Sequence, residues 1–139
     1  MTWTTTTMKE GLEKLAFYKE NRVTATTNDN SLVLTFEEFG ELPVIMVVGE
    51  KQIMLEVALV ERDVFKNPSE VDYKLLTTHK YLPLSTIGIE SINGTDWYVL
   101  FGALSKHSTI ELIAEELLML VRNTFNVIDT LEPLYKFNN

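Results

Sequence analysis

One stretch constrains this chain more than any other: YLPLSTIGIESINGTDWYVLFGAL, from Tyr81 to Leu104. Asn93-Gly94 is a dipeptide that tolerates the positive φ angles of a two-residue hairpin turn. Runs rich in β-branched and aromatic residues flank it, Thr86–Ile92 and Asp96–Ala103, so the stretch predicts a β-hairpin of defined register. In the second run Trp97, Val99, Phe101 and Ala103 fall on one face, and Tyr98, Leu100 and Gly102 on the other. Both faces are apolar.

The remaining segments supply partners for that hairpin. Arg22–Thr27 and Leu32–Phe36 flank the turn cluster NDNS, and Leu42–Val48 and Ile53–Val60 flank Gly49-Glu50-Lys51-Gln52. Pro43 restricts the third run to a strand start or a sheet edge, and Val44–Val48 shows no polar alternation at all. A first helix is expected from Met8 to about Asn21, capped by Thr7 with Glu10, with Met8, Leu12, Leu15 and Ala16 at helical spacing. Gly11 inside it costs about 1 kcal/mol relative to alanine and calls for a close-packing reason. A second helix starts at Asn67-Pro68-Ser69-Glu70, carries Val71, Leu75 and Leu76 inward, and ends before Pro83. A third runs from Thr109 to about Asp129, with Ser108 as cap and Glu111 completing a capping box. Ile110, Ile113, Ala114, Leu117 and Val121 line one of its faces. The order α-β-β-β-β-α-β-β-α predicts a single α+β domain over residues 1–139, an antiparallel sheet with helices packed on it.

Composition narrows the class of job. The 139 residues, 45% hydrophobic and 23% charged, suit a globular chain rather than a disordered one. A net charge of −8 with no run of three Lys or Arg argues against nucleic acid, whose affinity rests on cation–phosphate neutralisation. The longest apolar run, Val44–Val48, is far short of the roughly 20 residues a membrane-spanning helix needs, so no membrane insertion is expected. No cysteine is present, which excludes disulfides, thiolate nucleophiles and cysteine zinc sites. The first residues, MTWTTTTMKEGLEKLAFYKE, lack a basic leader followed by an apolar core, so a cytoplasmic location is expected.

Motifs that carry chemistry are missing. His79, near the end of the second helix, suits a helix C-terminus, and His107 precedes a cap; neither sits in an HxxxH or HxxE spacing. Ser85 lacks the G-x-S-x-G setting of a nucleophile, and the six glycines form no GxG, so no phosphate-cradling loop is read. Glu37, Glu38, Glu41, Glu50, Glu56, Glu61 and Asp63 offer carboxylates, but nothing singles out a pair. Glu111 and Glu115 form a like-charge i, i+4 pair. Asn93-Gly94-Thr95 matches a glycosylation sequon but is explained by the turn. The expectation is a protein without enzymatic activity, cofactor or metal. The rival is an enzyme or small-ligand protein, which would need a deep apolar pocket lined by Trp97, Tyr98 or His79, with Glu61–Asn67 as its rim.

Apolar surface is in surplus. In the fourth strand Ile53, Leu55, Val57 and Leu59 oppose Met54, Glu56, Ala58 and Val60, a second face that is still mostly apolar. The last helix carries Leu112, Met119 and Leu120 beside its main stripe. Either that helix lies deep in a monomer, or the chain associates, most simply as a two-fold homodimer burying about 800 Å² per partner. The residues expected to meet a partner are Met54, Tyr98, Leu100, Leu112, Met119 and Leu120.

Leu-Pro-Leu-Ser-x-x-Gly-Ile at Leu82–Ile89, with LPVIMVVGEKQIMLEVALV as a second portion, resembles the YjfI-like family of small uncharacterised bacterial proteins. The resemblance implies an α+β fold similar to type III secretion chaperones, which are small acidic dimers that hold partner polypeptides. Family members tend to be encoded beside proteins like phage shock protein A, which implies an envelope-stress link and a partner of that kind. No catalytic residues come with the family. A cytoplasmic, homodimeric, chaperone-like binding module is therefore expected.

Overall fold

The structure is a computed structural model and describes residues 3–136. Along the chain run α1 (Thr5–Glu13), α2 (Ala16–Glu20), β1 (Val23–Thr27), β2 (Ser31–Phe36), β3 (Leu42–Val48), β4 (Gln52–Glu61), α3 (Pro68–Thr78), β5 (Thr86–Ile92), β6 (Thr95–Ser105) and α4 (Ile110–Leu131). The six strands form one antiparallel sheet in the order β1-β2-β3-β4-β6-β5, which leaves β1 and β5 at its edges. This is the α+β architecture the element order predicted. Contacts group the chain into two compact units, one of residues up to Glu56 with Ala103–Leu118, the other of Val57–Gly102 with residues from Met119 onward.

The first unit is built on the meander β1-β2-β3 and the start of β4. Leu34 lies opposite Val44, Leu32 opposite Met46, and Met46 opposite Leu55, so these side chains share one face. All five are fully buried, together with Phe36 and Ile53. Met8 and Leu12 of α1 and Ile113, Ala114 and Leu117 of α4 complete this core. Each such side chain contributes about 1.5–3 kcal/mol by leaving water. Gly11 has the packing reason its position demanded: a Cβ there would sit 3.1 Å from the Ile110 side chain and 3.5 Å from the Trp3 ring. The Trp3 indole donates to the Ser108 carbonyl at 2.8 Å, fixing the start of the chain against the start of α4.

Several boundaries differ from expectation. The first helix is not continuous to Asn21; Leu15 adopts extended backbone between α1 and α2. That break aims Phe17 at Phe36, with ring centroids 6.4 Å apart, and leaves Leu15 half-buried and Ala16 exposed. The cap is Thr4 rather than Thr7: Thr4 Oγ1 accepts the Thr7 amide at 3.1 Å, and Thr7 Oγ1 accepts the Thr4 amide at 2.9 Å. At α4 Thr109 replaces Ser108 as cap, its hydroxyl accepting the Leu112 amide at 3.3 Å. Asn67 is the cap of α3, but its side chain donates to Glu70 Oε2 instead of bonding the helix backbone.

The second unit is built on the β5-β6 hairpin and the end of β4. Ile87, Tyr98, Leu100 and Val57 are buried under Val71 and Leu75 of α3 and Leu120, Val121, Val127 and Leu131 of α4. Phe65 stands edge-on to Tyr98 and to Tyr135, and the Lys136 amide donates to the Val64 carbonyl at 2.8 Å. Asn123, buried in α4, donates from Nδ2 to the Pro83 carbonyl at 2.8 Å and to Ser85 Oγ at 2.9 Å. Ser85 Oγ is thus an internal acceptor. The loop it anchors holds Leu84 at φ 62°, an uncommon conformation for a side chain of that size.

The hairpin turn has Asn93 at φ 52° and Gly94 at φ 82°, with no atom within 4 Å of a Cβ placed on Gly94. Strain alone therefore sets the effect of substitution there. Gly94→Val is expected to lower stability by about 1–2 kcal/mol in urea unfolding, with Gly94→Asn affected less.

Candidate functional site

Among the described residues, strand alternation buries one sheet face of the first unit and leaves the other exposed or half-buried. On it Val33 lies opposite Ile45, which lies opposite Glu56; in the next row Ser31 lies opposite Val47, which lies opposite Met54. Ile45 is 43% exposed and Val47 36%, while Val33 and Met54 are half-buried. The apolar run Val44–Val48 thus alternates strictly in burial although its residue types do not. Glu56 is the single ionisable side chain in these two rows. The result is an apolar strip with an acid at one side.

The expected partner-binding residues separate by burial. Met54 belongs to that strip. Leu112 is 51% exposed on α4, and Met119 is half-buried. Tyr98, Leu100 and Leu120 are at most 1% exposed, so the expectation that they face a partner is corrected. The cause is the choice of face: α3 and α4 cover the Tyr98–Leu100 side of β6, and the side carrying Trp97 and Phe101 is the one left half-open. Leu76, expected to point inward from the second helix, is instead 62% exposed, because the covered face of α3 is the one carrying Val71 and Leu75. Sequence reasoning passed over Ile45, Val47 and Ile89, also exposed.

In the second unit three segments converge on Asp72. Arg62 reaches it with two parallel bonds, Nε to Oδ1 at 3.0 Å and Nη2 to Oδ2 at 2.6 Å. The Tyr98 hydroxyl donates to the same Oδ1 and lies 3.3 Å from the Pro68 carbonyl. The Arg62 hydrogen bonds hold the Asp72 carboxyl below the usual aspartate range. Burial, reinforced by the Asp72 charge, pushes the Tyr98 phenol well above its ordinary value. A carboxylate held ionised beside a phenol held protonated is not poised for proton transfer near neutrality. The cluster acts as a clamp that fixes α3 to β6.

Beside it lies a cleft of about 120 Å³ lined by Leu75, Leu76, Ile87, Ile89 and Tyr98. Ligand sites usually enclose about 300–1,000 Å³. At that size the cleft has room for a single apolar side chain. His79 Nδ1 accepts the Ile87 amide at 3.2 Å, beside the β5 edge. Lys66 and Asn67 border a separate open groove with Glu70, Val71 and Lys74. Among the described residues no group of three or more His, Asp or Glu is placed to hold a metal, and no helix is long and apolar enough to cross a membrane.

A model for "Uncharacterized protein conserved in bacteria (DUF2170)" matches residues 2–135. The chain belongs to this family. It is 29% identical over 132 residues to the uncharacterized protein YjfI of Escherichia coli strain K12, covering 95% of this chain and 97% of YjfI. The same figures hold for YjfI of Escherichia coli O157:H7. The family is the one that the Leu82–Ile89 stretch implied. Among solved structures, a chain of the ExsC–ExsE complex superposes with a TM-score of 0.60 at 14% identity, covering 99% of each chain. YbjN from Escherichia coli, a candidate transcription regulator, gives 0.62 at 10% identity, covering 90% of this chain and 91% of YbjN. At these identities the likeness is one of fold.

Two measurements check the electrostatics. Arg62→Met is expected to cost about 1–3 kcal/mol at neutral pH by leaving Asp72 and Tyr98 without their cation. Because the folded Asp72 value is depressed, the stability it brings is present above the ordinary aspartate range and is lost as pH falls through the folded value. The difference between wild type and variant therefore shrinks in strong acid. Glu116 behaves oppositely. Burial, then the Glu115 charge, raises its carboxyl in the folded state, so it destabilises the fold as pH rises through the raised value. Glu116→Gln should raise the melting temperature at pH 7 and leave it unchanged at acid pH below the ordinary glutamate value.

Proposed function

We propose that this chain is a non-enzymatic, cytoplasmic, homodimeric module that holds a segment of another protein, in the manner of a chaperone. The observation that carries the reading is the strip of Val33, Ile45, Val47 and Met54, apolar side chains turned outward on a sheet face over which no helix lies among the described residues. Contiguous apolar surface rimmed by polar residues marks interaction sites. Its charge setting narrows the occupant: the whole chain carries −8. An amphipathic segment with an apolar stripe flanked by Lys or Arg fits such a surface. In the same unit Leu112 of α4 is a further exposed apolar side chain open to a partner. The fold likeness to a chain of the ExsC–ExsE complex, itself an assembly of two proteins, supports a binding role. The family resemblance points to a phage shock protein A-like partner and an envelope-stress setting.

The test is calorimetric titration of purified chain with a phage shock protein A-like protein. Wild type is expected to bind, and Ile45→Lys with Val47→Lys to bind at least about tenfold more weakly, a loss of about 1.4 kcal/mol, with an unchanged circular dichroism spectrum. Equal binding by both removes the strip as the site; no binding by wild type removes that partner.

A further inference from the structure

We propose that a second copy of this chain pairs with it along the β5 edge, antiparallel, with the two-fold axis passing through Ile89. The inference deepens the homodimer in the reading above and rests on it.

Five of the ten large hydrophobic side chains exposed among the described residues fall between positions 73 and 89: Tyr73, Leu76, Tyr81, Leu84 and Ile89. Leu76 and Ile89 form part of the apolar cleft wall, so this exposure continues into a cavity rather than lying on flat surface. The edge strand beside them, TIGIESI, contains no Lys, Arg or Pro and one charge, Glu90, where charges, lysine above all, and prolines usually keep an edge from pairing. The opposite edge, β1, is rich in exposed threonines and carries no large exposed apolar residue.

The hydrogen-bond pattern selects the register. The Ile87 amide donates to His79 Nδ1, so it points away from β6. In an antiparallel strand alternate residues share that direction, and the main-chain groups of Ile89 and Ser91 therefore also point outward. A pairing centred on Gly88 would rest on Ile87–Ile89 pairs, each short of the Ile87 amide that His79 holds. One centred on Ile89 keeps a complete Ile89–Ile89 exchange and loses only the Ile87 donors to Ser91 of the other copy. A pairing centred on Glu90 would set two carboxylates opposite each other, which is destabilising. Centred on Ile89, the two Ile89 residues exchange both bonds, and each Glu90 faces Gly88 of the other copy. Ile89 shares a face with Ile87 and with its β6 neighbours Tyr98 and Leu100, so the Ile89 of the second copy arrives beside Leu76 at the mouth of the cleft.

The chain contains no cysteine, which makes the register readable by cross-linking. Opposed residues in a bonded pair have Cα atoms about 5.5 Å apart, inside the range of about 4.4–6.8 Å that a disulfide spans. Ile89→Cys is expected to give a covalent dimer on mild oxidation. Ser91→Cys, whose counterpart lies four residues along, about 13 Å away, is expected to remain uncross-linked. Light scattering at micromolar concentration should give a dimer mass for wild type, and half that mass for Ile89→Lys. Where Ile89→Lys unfolds, Leu76→Glu, on an exposed helix position, reads the same loss. A dimer that survives these charged substitutions, or cross-links at Ser91 instead, overturns the edge pairing while leaving the homodimer standing. A monomeric wild type overturns both, and an Ile89 edge found to pair only with a different protein overturns the edge pairing.

Discussion

The structure depends on the pleat of its sheet. Side chains alternate between two faces, and this chain places apolar residues on both while supplying helices for one. In the first unit Leu32, Leu34, Val44, Met46 and Leu55 vanish beneath α1 and α4. Their immediate neighbours Val33, Ile45, Val47 and Met54 are carried outward by the same register. The exposed strip is the reverse side of the core, and no slip can hide one without uncovering the other.

Polar groups inside the fold fix its elements in place. Asp72 takes a bidentate guanidinium and a phenol hydroxyl, so a helix, a short 3₁₀ turn and a strand meet at one carboxylate. A charge with so many donors is a poor base and a good anchor. Asn123 does similar work with neutral groups. Through these contacts α3 is held so that Leu75 faces inward and Leu76 stands at the mouth of the cleft.

Much of the fold was legible because local signals agreed with the global answer. Leu42–Val48 and Thr86–Ile92 have the boundaries the sequence suggests, and Asn93-Gly94 makes the turn. Misreadings came where neighbouring positions offered equal chemistry. Four consecutive threonines give the first helix several hydroxyls to choose from, and Ser108-Thr109 offers two at the last. Strand alternation names two faces but not the one the helices take, which is why Tyr98 and Leu100 read as surface. The Arg62–Asp72–Tyr98 clamp joins residues 10 and 26 positions apart, and no spacing rule encodes it.

The Asn123 amide has a consequence for how the chain can drift. It satisfies Ser85 Oγ and the Pro83 carbonyl together, and the residue between them, Leu84, sits in the left-handed region. Replacing the amide with an aliphatic group strands a buried hydroxyl and frees the loop to relax, while replacing the serine alone leaves the amide short of an acceptor. Positions 85 and 123 are thus tied, and descendants of this sequence should exchange them as a couple.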